Sequence, residues 1–201
     1  MFKQLALLAV LAFSTAAVAN AASINGFVNS NGTDQFTSNT ITFGPASVQG
    51  TIGGTFATYL MDGNAVNFLG GTLPYTQGGP ITAPPNTQLL SITGGGETFT
   101  FMLDSYFASY GALPGCVAGG TCLNITGIGK FSGSGVMAYD ATPGTFNFTT
   151  QYAPGQTVGT MTTFSASASA QPSAVPEPAS LALFGTGLLG LVGVARRKFK
   201  V

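Results

Sequence analysis

From Glu97 to Leu103 the chain reads E-T-F-T-F-M-L, and from Thr145 to Gln151 it reads T-F-N-F-T-T-Q. Apolar and polar residues alternate one by one in both stretches. That is the period of a β-strand, whose successive side chains point to opposite faces, and a helix cannot gather such residues into one apolar stripe. Phe99, Phe101 and Leu103 therefore share one face of a strand, and Phe146 and Phe148 share one face of another. Shorter patterns of the same kind occupy residues 24–28, 36–43, 48–59, 88–92, 123–131, 135–139 and 158–166. The segment D-A-T-P-G, residues 140–144, carries turn chemistry between two of them. No long amphipathic helix interrupts the series. Many short strands at intervals of roughly 8 to 12 residues predict a mainly β domain over residues 22–168, an antiparallel sandwich or jelly roll.

Composition agrees. The chain has 201 residues, enough for one domain, and 45% of them are hydrophobic, so it can bury a core and is not a disordered polymer. Only 6% are charged, against about 25% in an average soluble domain. Between residues 22 and 174 the sole cation is Lys130, set against Asp34, Asp62, Glu97, Asp104 and Asp140. A body with one positive charge has no basic patch for a phosphate backbone, which excludes a nucleic-acid partner. It has equally little with which to hold anionic lipid headgroups.

The two ends read as addresses rather than as parts of the fold. Lys3 is followed by an apolar run from Leu5 to Phe13 and then by small residues up to Ala19-Asn20-Ala21. This order predicts a secretory signal peptide over residues 1–21, its helix removed by cleavage after Ala21 at the A-x-A site of Ala19 and Ala21. At the other end residues 179–195 carry no charge and predict a single transmembrane helix of ~25 Å, a little short of a ~30 Å hydrocarbon core. Arg196, Arg197 and Lys198 follow it in a basic tail, residues 196–201. They snorkel and stay cytoplasmic, which leaves everything before the helix outside. Residues 169–174 form a small-residue linker, and Pro176 and Pro178 bracket Glu177 in a peptide that proline keeps extended. On physical grounds this peptide is either a rigid spacer or an exposed stretch that a processing enzyme binds along its backbone.

The order of linker, V-P-E-P, short apolar helix and basic terminus over residues 175–201 resembles the PEP-CTERM sorting domain of Gram-negative bacteria. The resemblance rests on Pro176, Glu177 and Pro178, on the helix, and on Arg196, Arg197 and Lys198. It implies that exosortase, an integral-membrane cysteine protease, recognises the Pro-Glu-Pro region. Cleavage there frees the ectodomain from a transient inner-membrane anchor for the cell surface or the extracellular space. It also implies an association with exopolysaccharide and biofilm assembly. The passage from Gly133 to Gln151, and F-S-A-S at Phe164 to Ser167, are similar to stretches of β-rich ectodomains that carry this sorting domain.

Chemistry is scarce in the body. Cys116 and Cys122 are the only cysteines, and in an exported chain they predict a disulfide. With no histidine anywhere, a Ser-His-Asp triad, a Cys-His pair and a conventional zinc site are all out of reach. Lys130 as a base for a serine is outweighed by a solvated cation. No two carboxylates are marked as a glycosidase pair, and tryptophan is absent. No catalytic residue, cofactor or metal ligand is therefore assigned, although Asp62-Gly63-Asn64 offers oxygens to calcium if it is not simply a tight turn. Tyr106 and Tyr110 offer a stacking platform for a glycan if they are not core. Asn31, Asn124 and Asn147 each begin an N-x-[ST] triplet, which in a bacterial setting implies little. The leading expectation is an exported non-enzymatic surface or matrix protein. A carbohydrate-binding module follows, and an enzyme acting on extracellular polymer comes last.

Overall fold

The computed structural model describes residues 22–68, 71–172 and 186–187. In chain order the strands are β1 (Ala22–Ser23), β2 (Gly26–Phe36), β3 (Thr40–Val48), β4 (Gly53–Gly54), β5 (Ala65–Phe68), β6 (Thr72–Pro74), β7 (Pro80–Gly94), β8 (Glu97–Gly111), β9 (Thr121–Gly135), β10 (Tyr139–Tyr152) and β11 (Thr162–Ala170). A five-residue helix, α1 (Thr55–Tyr59), separates β4 from β5.

The strands belong to one sheet, and eight of them close a ring. β2 pairs with β11, and from there pairing passes through β10, β9, β8, β7, β5 and β3, which returns to β2. Every step is antiparallel. The fold is thus mainly β and antiparallel, as the alternation predicts, but the sheet is barrel-like rather than split into the two layers of the expected sandwich. Strand length supplies the reason. β7, β8 and β9 each run 15 residues and β10 runs 14. Strands this long carry their right-handed twist far enough for the sheet to coil until its edges pair. Bulges aid the bending. One lies at Asp104 in β8, and another spans Ala83 to Asn86 in β7, where Pro84 and Pro85 cannot donate to the ladder.

Aromatic side chains fill the interior. Phe99, Phe101, Phe131, Phe146, Phe148 and Phe164 are buried on alternate positions of four neighbouring strands. Ring contacts run from Phe131 to Phe101 at 4.8 Å and on through Phe146 to Phe148, which lies 4.9 Å from Phe164. Phe56 on α1 plugs one end, packed 4.9 Å from Phe99 and 5.1 Å from Phe131. So large a filling needs small neighbours. A Cβ on Gly144 would sit 2.8 Å from the Phe131 ring and 2.8 Å from the Ser169 carbonyl oxygen.

That glycine corrects a sequence expectation. Residues 140–144 are not a turn but part of β10, with a register shift between Tyr139 and Thr142. The actual turn lies at 136–138, inside a stretch read as strand, where Glu97 Oε2 accepts the Met137 N–H at 3.0 Å. Residues 36–43 contain the β2–β3 turn, closed by Thr37 N–H to the Thr40 carbonyl at 2.9 Å. Residues 48–59 break at Gly50 and Gly54, both with positive φ, and then enter α1. At the far end β11 continues two residues into the expected linker, and Ser169 and Ala170 pair with Phe27 and Gly26.

Candidate functional site

The sorting residues Pro176, Glu177 and Pro178, the basic Arg196, Arg197 and Lys198, and the signal-cleavage pair Ala19 and Ala21 lie outside the described residues. So does the expected membrane helix, apart from Thr186 and Gly187, which are helical. No helix among the described residues is long and apolar enough to cross a membrane.

Several residues weighed from sequence have structural duties. Cys116 and Cys122 form a disulfide with Cα atoms 6.0 Å apart. Asp62 Oδ1 accepts the Gly50 N–H at 2.9 Å, and Asn64 Oδ1 accepts the Met61 N–H at 2.7 Å. Asp62-Gly63-Asn64 is therefore a turn whose side chains serve the backbone. No group of three or more His, Cys, Asp or Glu among the described residues is placed to hold a metal ion. Tyr106 is buried and donates its hydroxyl to the Pro74 carbonyl, with burial holding its pKa above the usual phenol range. Tyr110 packs edge-on against Phe36. Tyr106 thus belongs to the core, and Tyr110 is half-buried against it. Lys130 points outward from β9 and makes no ion pair among the described residues.

Among the described residues two carboxylates are buried, and they sit far apart. Asp34 pairs with Thr162 where β11 begins, whereas Glu97 pairs with Gly135 where β9 ends, at the opposite rim. Asp34 Oδ1 lies 2.9 Å from the Thr150 hydroxyl, while Oδ2 has no partner among the described residues. Burial pushes its pKa up to about 6, against the opposing pull of the Thr150 hydrogen bond.

A trough of about 810 Å³ lies on the outer wall. Its floor follows from strand register. Asn124 on β9 faces Thr149 on β10, Thr149 faces Ser165 on β11, Ser165 faces Asn31 on β2, and Asn31 faces Ser47 on β3. At the usual strand spacing of ~4.8 Å these five side chains form a row ~19 Å long. Two residues along the strands, ~7 Å away, a second row holds Thr126, Asn147, Ser167 and Asn29. The β8–β9 loop makes one wall through Pro114 and Gly115. The disulfide closes that loop, and Gln151 Oε1 anchors it by accepting the Val117 N–H at 3.2 Å. Among the described residues no charged side chain lines the trough.

Sequence reasoning did not single out this face, yet a signal was present. In a strand, N-x-T places the amide and the hydroxyl on the same side. The triplets at Asn31, Asn124 and Asn147 are all in strands, and their registers gather them on one wall.

Comparison with known proteins adds the remaining element. Residues 174–198 match the PEP-CTERM protein-sorting motif. The chain thus carries, just past a barrel-like β domain, a motif that implies export, sorting by exosortase and passage across the membrane to the cell surface. No curated protein and no solved structure matches the chain.

Proposed function

We propose that the chain is an exported, non-enzymatic protein of the cell surface or extracellular matrix, cleaved by exosortase at its Pro-Glu-Pro region and associated with exopolysaccharide and biofilm. The sorting motif at residues 174–198 carries this reading. In it residues 1–21 are a signal peptide cut after Ala21, and residues 179–195 are a transient inner-membrane anchor oriented by Arg196, Arg197 and Lys198. The end of β11 at Ala170 fits the arrangement. Pro176 follows within six residues, so the extended chain keeps the processing peptide within ~20 Å of the barrel. The domain is then delivered as a folded unit tethered close to the membrane.

The placement of Asp34, Glu97 and Asp62 supports a non-enzymatic role. Asp34 and Glu97 are inside the barrel at opposite rims, and Asp62 caps a turn. Hydrolysis of a glycosidic bond by the common two-carboxylate route needs a facing pair roughly 5–10 Å apart. A second reading, carbohydrate binding, is favoured by the uncharged trough.

Substitution tests the sorting claim. Glu177→Ala, or Ala at both Pro176 and Pro178, is expected to leave full-length protein in the inner membrane fraction. Normal release of such variants would refute it.

A further inference from the structure

We infer that the outer-wall trough is a binding site for a neutral polysaccharide, gripped by a cross-strand row of amide and hydroxyl side chains. The inference rests on the carbohydrate-binding reading and assigns it a place and a ligand class.

Unspent hydrogen-bonding capacity is the first argument. Some outward hydroxyls elsewhere on this sheet satisfy one another across strands: Thr145 with Ser169 at 2.8 Å, Thr42 with Thr72 at 2.9 Å, Thr93 with Thr98 at 3.0 Å. In the trough Ser47 accepts from Gln49 Nε2 at 3.2 Å. The side chains of Asn31, Asn124, Thr149 and Ser165 make no hydrogen bond to other described residues. Each Asn offers two donors and an acceptor, and each hydroxyl offers one donor and two acceptors. Such mixed groups suit a ligand that is itself both donor and acceptor at every position, which is the chemistry of a sugar hydroxyl.

Charge selects within that class. With no cation in the trough, a carboxylated or sulfated chain would lose hydration without a compensating partner. With no carboxylate there, a polycation gains nothing either. A neutral chain loses neither way.

Shape is the third argument. The row crosses five strands and a second row runs beside it, so the floor is elongated rather than a closed pocket for a single ring. A groove of about 390 Å³ continues it past Asn147 and Ser167. The loop wall is closed by a disulfide and anchored to the floor by Gln151, which fixes the cleft before a ligand arrives.

Affinity electrophoresis of the full chain, in a detergent without a sugar headgroup, tests this. The gels contain hydroxyethyl cellulose, galactomannan or dextran as neutral polymers, and alginate as the anionic one. Retardation by at least one neutral polymer and not by alginate is expected. Asn31→Ala with Asn124→Ala should weaken it about tenfold. Thr149→Val keeps shape and strand propensity and should weaken it several-fold, providing a readout if the double variant fails to fold. Thr145→Ala, outside the row, should change nothing. Retardation by alginate alone, or by no neutral polymer, would overturn both the inference and the carbohydrate reading. Retardation that the Asn and Thr149 variants leave intact would overturn the site while leaving carbohydrate binding in place. The purified chain is used throughout, so the result is independent of whether exosortase processes it.

Discussion

The Tyr152 ring stacks on that of Phe36 at 4.1 Å and 13°, and its hydroxyl reaches round to the Phe36 backbone, 2.7 Å from the carbonyl and 3.1 Å from the amide nitrogen. One side chain on β10 thereby closes the end of β2, to which it is not paired in the sheet. Gly159 N–H also donates to this hydroxyl at 2.9 Å, so the β10–β11 loop converges on the same oxygen. Tyr152→Phe keeps the stack and removes the hub. The buried Phe36 N–H then loses its acceptor, and unfolding by denaturant should show a loss of about 1–3 kcal/mol with the slope unchanged.

Asp34 predicts a particular pH dependence. Its folded pKa of about 6 lies above the ordinary value of 3.8, because burial disfavours the charged form. The folded state therefore holds this proton more tightly than the unfolded one. Its stabilising effect is full below about pH 4 and is lost as pH rises through about 6, on the order of 2–3 kcal/mol in all. Asp34→Asn should be more stable than the native chain at pH 7 and lose that advantage at pH 4. A difference that does not vary with pH would contradict the assignment.

Gly144 reports on interior packing. Gly144→Ala forces a methyl group against the Phe131 ring and the Ser169 carbonyl, and overpacking of this kind costs about 1–3 kcal/mol. A lowered Tm with unchanged secondary structure by circular dichroism is the expected result. Had residues 140–144 formed an open turn, the same change would be nearly neutral.

The difference between those two outcomes shows where sequence stops being informative. Period-two alternation identified the strands around Phe99, Phe101, Phe146 and Phe148, because their inward and outward positions differ sharply in polarity. It did not reveal that the strands extend well beyond those cores. β7 runs through Pro84 and Pro85, and β10 through Pro143, and both passages look like breakers until bulges and distant partners accommodate them. Closure into a ring depends on β3 meeting β2 and β5, a property of twist and length that no local pattern contains. Cys116 and Cys122 were legible because pairing follows from compartment and count. The trough was half legible: N-x-T in a strand fixes a shared face, but only register brings Asn31, Asn124 and Asn147 to one wall.

The Cys116–Cys122 bridge closes a loop with a sequence separation of 6, too short to restrain much of the unfolded chain. Chain-entropy reasoning limits its contribution to about 2 kcal/mol. Paired Cys→Ala substitutions should lower stability by no more than that. The thiols of the native protein should resist alkylation until a reductant is added, and labelling without reduction would contradict the bridge.

The intact mass of the protein recovered from its native cell surface tests export and processing most directly. The expected chain begins at Ala22, lacks two hydrogens for the disulfide, and ends near Pro176–Pro178 without residues 179–201. A native mass that still includes Arg196, Arg197 and Lys198 would contradict that processing.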